Sequence, residues 1–168
     1  MTRGRATSFL AIPALLAAGP AAARDTLGVY RSWAAFRDAE VCYAIAQPQR
    51  YLEPGGGARV GQPFASIANW PAKGLRSSLH VRLSRPMRPG AAVTLSVGER
   101  RFRLAGQGSD AFAADAASDR AIAAALRAGR SMSVETVANT GRAFADTYAL
   151  TGAATAMDAA ALACSALR

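Results

Sequence analysis

Two five-residue runs, Val93-Thr-Leu-Ser-Val97 and Arg100-Arg-Phe-Arg-Leu104, are separated only by Gly98-Glu99. Glycine in the first of two turn positions suits a type II′ turn, whose twist matches that of a β-hairpin. Pairing across the turn sets Val97 opposite Arg100, Leu95 opposite Phe102 and Val93 opposite Leu104, which gathers the apolar residues on one face. Ser96 with Arg101 and Thr94 with Arg103 then occupy the other. Side chains alternate with a period of two, so a slip of one residue would turn every apolar group into water. Such a hairpin demands a sheet with one buried face, and the remaining sequence has to build it.

The same alternation recurs on both sides. From Leu75 to Leu83, Leu79, Val81 and Leu83 point one way while Ser78, His80, Arg82 and Ser84 point the other, until Pro86 and Pro89-Gly90 end the strand. Val29 to Gln47 reads as two strands divided at Arg37-Asp38-Ala39-Glu40, and Ser131–Ala138 and Arg142–Leu150 read as two more around Asn139-Thr140-Gly141. Between them Ser118 as N-cap, Ile122 and Leu126 four apart, and Gly129 mark a short helix. Ala153 to Leu167 is Ala-rich and helical, with Met157 and Cys164 seven apart on one face. About seven strands joined mostly by turns, with one inserted and one terminal helix, predict a mainly β, antiparallel sandwich or small barrel. Gly55-Gly56-Gly57 lies in a Pro- and Gly-rich stretch from Pro48 to Gly61 that lacks the strand, helix and Lys of a phosphate loop, and reads as a connection.

The N-terminus reads as an address. Arg3 and Arg5 precede the apolar run Phe9–Ala18, which ends in Ala21-Ala22-Ala23, the order of a cleavable export signal with cleavage near Ala23. The run is too short for a bilayer span of about 20 residues, and Pro13 interrupts it. Residues 24–168 then form a single domain in the periplasm or outside the cell, with no transmembrane segment in the mature chain. The segment removed carries two arginines and no acids, so the mature chain keeps 18 basic against 11 acidic residues, a net +7. Lys73 is the only lysine, a bias that either codon usage or a surface for anionic partners explains.

Cys42 and Cys164 are the only cysteines, with no His or Cys at ligand spacing around either. In an oxidising compartment such a pair is expected to form a disulfide, two buried free thiols being the alternative.

Trp33-Ala-Ala-Phe36 followed by Cys42-Tyr43-Ala44, the Val93–Leu104 hairpin with Asp110-Ala-Phe-Ala113, the stretch Asp119–Gly129, and Asp146-Thr-Tyr-Ala-Leu150-Thr-Gly152 with the late Cys164 resemble, in this order, the invasion-associated locus B family. The resemblance implies an exported bacterial protein with an immunoglobulin-like β-sandwich, and it carries no catalytic residues over. Phe112 stands where tryptophan is common in that family, and the Gly-rich segment before Pro63 is shortened.

Chemical readings are sparse. His80, the sole histidine, lies mid-strand on a polar face without a Gly-x-Ser-x-Gly elbow, so an exposed strand residue is expected rather than a catalytic base. Asp115 and Asp119 read as acids complementing a helix N-terminus. Asp146 falls between Phe144 and Tyr148 on a face that should be buried, and is expected to fill a structural role by accepting hydrogen bonds. Arg82, Arg101 and Arg103 lie on solvent faces and form a candidate patch for anionic ligands, lipid head groups or acidic glycans. Nucleic acid is not expected, since these arginines lack an aromatic stacking ladder. The chain is thus expected to be a non-enzymatic envelope or interaction protein without a cofactor, its partners anionic envelope components or another envelope protein. A periplasmic hydrolase and a purely structural envelope component are the competing readings. A pocket gathering His80, Asp146 and a serine would favour the hydrolase.

Overall fold

A computed structural model describes residues 24–49 and 62–165. The expected export signal, the expected connection around Gly55-Gly56-Gly57 and the expected end of the terminal helix beyond Ser165 lie outside the described residues. The elements are β1 (Asp25–Tyr30), β2 (Trp33–Arg37), β3 (Cys42–Ala46), β4 (Phe64–Trp70), a 3-10 turn at Pro71–Lys73, β5 (Leu75–Arg82), β6 (Val93–Val97), β7 (Arg100–Gln107), β8 (Asp110–Ala113), α1 (Ala116–Ala128), β9 (Ser131–Val137), β10 (Ala143–Ala149) and α2 (Ala153–Ser165). The fold is mainly antiparallel β with two helices, as the sequence predicts.

The hairpin has the register its alternation requires, with Val93 opposite Leu104, Leu95 opposite Phe102 and Val97 opposite Arg100. Gly98 has φ +56°, and Glu99 is not left-handed, as a type II′ turn needs.

Among the described residues the ten strands form one sheet in the order β1-β2-β3-β4-β5-β8-β7-β6-β9-β10. The sheet curls over a shared core in a sandwich-like arrangement, and hydrogen bonds show where its ends meet. Trp33 Nε1 donates to Ala149 O at 2.9 Å, Ser32 N to Thr151 O at 3.3 Å and Gln49 N to Thr147 O at 2.7 Å. These bring β10, last in the order, to the β1–β2 turn and the end of β3. The concave face carries Trp33, Ile67, Leu79, Val81, Leu95, Val134 and Tyr148, all almost fully buried.

Three strands escape the sequence pattern. β1 is interrupted by a bulge between Thr26 and Gly28. In β4 the successive residues Ala65, Ser66 and Ile67 are all buried, so the period of two that marks a half-buried strand is absent. β8 has four residues, too few to show a period.

The helices cover what the strands leave open. α1 starts three residues earlier than its sequence suggests, because Asp115, not Ser118, is the N-cap: its carboxylate accepts from Ser118 N at 2.7 Å. Gly129 closes α1 with φ −83°, so it is not there for a left-handed turn. A Cβ at this position would lie 2.5 Å from Val97 Cγ1, and the glycine lets β6 approach the helix end. α2 is poor in large side chains and lies against β1 to β4 through Ala153, Ala156, Met157 and Ala160. The Cys42–Cys164 disulfide, the pairing expected from the sequence, fastens its C-terminal end to β3 across a Cα separation of 5.6 Å. Among the described residues no helix is long and apolar enough to cross a membrane.

Candidate functional site

Among the described residues no helix covers the convex face of the sheet, which carries the side chains that chemistry would use. Its centre is where β4, β5 and β8 run side by side. His80 alternates outward between Leu79 and Val81, both in the core. The register sets Ser66 on β4 and Phe112 on β8 directly beside it, and sets Phe64 and Asp110 beside Arg82. Neighbouring strands thus gather three rings, a guanidinium and a carboxylate.

Asp110 organises the group. Its Oδ1 lies 2.7 Å from His80 Nε2, while Arg82 donates through Nε to Oδ1 at 3.1 Å and through Nη2 to Oδ2 at 3.3 Å, a forked arrangement. Burial pushes the Asp110 carboxyl up, but the hydrogen bonds and charges of His80 and Arg82 outweigh it and hold the group below its usual range. Phe112 stacks on the imidazole at 4.6 Å and 12°, Phe64 meets it edge-on at 5.0 Å, and the Arg82 guanidinium lies 5.8 Å from the Phe64 ring. The rings confine His80 sideways, and Asp110 sets its orientation along the sheet.

The geometry separates the residues that a hydrolase would need to combine. His80 faces outward, whereas Asp146 faces the core, 3% exposed, and accepts from Ser84 N at 2.8 Å. Ser66, the serine beside His80, is 7% exposed and points its hydroxyl at the His80 carbonyl oxygen, 3.4 Å away, rather than at the ring. Among the described residues no group of three or more His, Cys, Asp or Glu side chains could hold a metal ion.

Of the helix-start acids, Asp115 caps α1, whereas Asp119 also reaches the sheet and accepts from Leu79 N at 2.8 Å. Burial raises the Asp119 carboxyl against the lowering effect of that bond.

The three arginines do not form one cluster. Arg101 and Arg103 share the outer face of β7, paired with Ser96 and Thr94 on β6. Arg82 is two strands away, and its row crosses β7 at Gln107, four residues beyond Arg103. With about 4.8 Å between strands and 3.3 Å per residue, its Cα lies roughly 16 Å from that of Arg103. Arg82 is engaged by Asp110, whereas Arg101 and Arg103 have no side-chain partner among the described residues.

Sequence reasoning missed Asp110, Phe64 and Phe112 as members of the site. Asp110 is 30 positions from His80 and meets it only through the β5–β8 pairing. Phe112 is an apolar aromatic residue left 46% exposed, a feature that shows only once the four-residue β8 is in place.

No family model matches the chain, and no curated protein matches it. Among solved structures, that of invasion associated protein B from Bartonella henselae matches with a TM-score of 0.53, covering 82% of this chain and 97% of that one at 18% identity. The likeness is one of fold, and it extends over nearly all of the solved protein: the chain folds as invasion associated protein B does.

Proposed function

We infer that the chain is an exported, non-enzymatic protein of the invasion-associated locus B type that works by binding other components of the cell envelope. The observation that carries this reading is the fold, similar over 97% of the solved chain and fastened by the Cys42–Cys164 disulfide. The disulfide fits an oxidising compartment. The outer face of the sheet, where polar and aromatic side chains stand free of any helix, is the surface offered to a partner.

The test is made in the protein's own cells. Thiol alkylation before lysis, followed by fractionation and cross-linking, should recover an oxidised chain joined to envelope components. A chain found with free thiols in the cytoplasm, or cross-linked only to cytoplasmic proteins, would overturn the reading.

The His80–Asp110 pair is the specific observation that favours a periplasmic hydrolase as the second reading, since a carboxylate orienting an imidazole is half of a nucleophile-activating arrangement. Activated ester and amide substrates decide between the two. Turnover abolished by His80→Ala would establish the enzyme, and turnover unaffected by it would be a contaminant's.

A further inference from the structure

On its outer face β7 presents Arg101, Arg103, Ala105 and Gln107 in a row, because Arg101 and Arg103 pair with Ser96 and Thr94 while Ala105 and Gln107 pair with Phe112 and Asp110. Ala105 is the smallest of them and lies directly opposite Phe112. On the β5 side Phe112 is stacked against His80; on the β7 side its neighbour is only a methyl group, and Phe112 stays 46% exposed. Arg103 and Gln107 stand on either side of Ala105, each roughly 7 Å away at the rise of a strand. Phe112 is therefore the wall, and Ala105 the floor, of a step with a cation at one end and an amide with a carboxylate at the other. Arg103 has no side-chain partner among the described residues.

We propose that this step is a binding subsite for an acidic sugar residue of an envelope polysaccharide. The inference rests on the binding role inferred above and names the partner's chemistry. A pyranose presents axial C–H groups on one face, weakly positive and apolar, which complement the negative face of an aromatic ring. With the sugar stacked on Phe112 above Ala105, a ring carboxylate meets Arg103, whose planar fork matches carboxylate geometry. Hydroxyls at the far end meet the Gln107 amide and the Asp110 carboxylate, which has acceptor capacity beyond its bonds to His80 and Arg82. Arg82 and His80 act as positioning residues, holding Asp110 and Phe112 in place.

An anionic lipid surface fits this face less well. A surface-bound cation contributes about 1 kcal/mol, and Arg101 and Arg103 are the two arginines without a partner on β7 among the described residues. Glu135 on β9 shares it, one strand beyond Thr94, and repels an anionic bilayer. A discrete ligand stacked on one ring avoids Glu135, whereas an extended surface does not.

The test titrates the exported, disulfide-bonded chain with tetragalacturonate, with its methyl ester and with phosphatidylglycerol vesicles, followed by calorimetry. The expected result is saturable binding of the free acid, weakened at least about tenfold by methyl esterification, by Phe112→Ala and by Arg103→Ala. Arg120→Ala, an exposed arginine on α1, should leave it unchanged. Phe112→Leu preserves apolar packing on His80 while removing the flat ring; it should fold and lose binding by the same at least about tenfold, and it decides the outcome where Phe112→Ala does not fold. No binding, equal binding of the ester, equal loss in Arg120→Ala, or Phe112-dependent binding to vesicles instead would each overturn the proposal. Envelope cross-links that survive Phe112→Ala would remove the sugar subsite and leave the broader binding role standing. A cytoplasmic, reduced chain would remove that role itself.

Discussion

The Cys42–Cys164 disulfide closes a loop of 122 positions and ties α2, a helix with few large side chains, to the strand beneath it. Its main effect is to restrict the unfolded chain, and loop-closure entropy for that length corresponds to about 5 kcal/mol at 25 °C. Cys42 and Cys164 are 0% and 5% exposed, so replacement by alanine avoids burying the two hydroxyls that serine would introduce. The Cys42→Ala/Cys164→Ala double variant should lose on the order of 4–5 kcal/mol in equilibrium urea unfolding, and reduction of the wild-type chain should produce nearly the same loss. For a chain of this length each kcal/mol corresponds to about 2–4 °C, so the melting temperature should fall by roughly 10–20 °C. That is a large part of the 5–15 kcal/mol typical of a folded domain. The bond constrains a chain that α2 already completes, so the variant should keep its native far-ultraviolet spectrum before the transition. A two-state loss below about 1 kcal/mol, or reduction without effect, would refute the reasoning and place the stabilisation in contacts of α2 that need no covalent tie.

Asp146→Ala leaves the Ser84 N–H without its acceptor and should lower stability by about 1–3 kcal/mol, whereas Asp146→Asn keeps an acceptor and should lose less; an unchanged melting temperature in Asp146→Ala would count against a structural role. Tyr148 is fully buried with no hydrogen-bond partner for its hydroxyl among the described residues, so Tyr148→Phe should be neutral or stabilising in urea unfolding; a loss of more than about 1 kcal/mol would reveal a partner. Gly152 has φ +90°, and a Cβ there would run into the backbone carbonyl of Tyr30, so Gly152→Ala should destabilise clearly more than Gly141→Ala, where φ is +85° but the space is open. The Asp110 carboxyl is held lower in the folded chain than in the unfolded one, so its stabilising contribution is present above the unfolded pKa of about 3.9 and is lost as pH falls through the folded value. Urea midpoints of wild type and Asp110→Asn should therefore converge as pH drops from 7 to 3, and a constant gap would contradict that sign.

Much of the fold could be read locally because its signals are local. The Val93–Leu104 register follows from a two-residue turn and a period of two, and it is the observed register to the residue. Ile122 and Leu126 mark the buried stripe of α1, and Met157 and Cys164 the buried side of α2. The sequence points to Ser118 as N-cap because serine and aspartate both cap well; the Asp115 carboxylate three residues upstream takes the role by accepting from the Ser118 N–H. The cysteine pair is legible from its count and from the compartment the N-terminus leads one to expect, and their meeting depends on α2 presenting Cys164 to β3.

The candidate site was not legible, because every one of its contacts crosses strands. His80 read as a solvent-facing residue, and its alternation was right, but nothing near it in the chain points to Asp110 or Phe112. Those two reach it only when β8, four residues long, slots between β5 and β7. The same insertion separates Arg82 from Arg101 and Arg103 and gives it a carboxylate partner. By itself the sequence determined which residues face inward and where turns and helices begin, since these depend on neighbours one to four positions apart. Only the tertiary structure decided which outward residues meet, because strand order and curl are set by burying the concave face, and the convex face receives whatever juxtaposition that burial imposes.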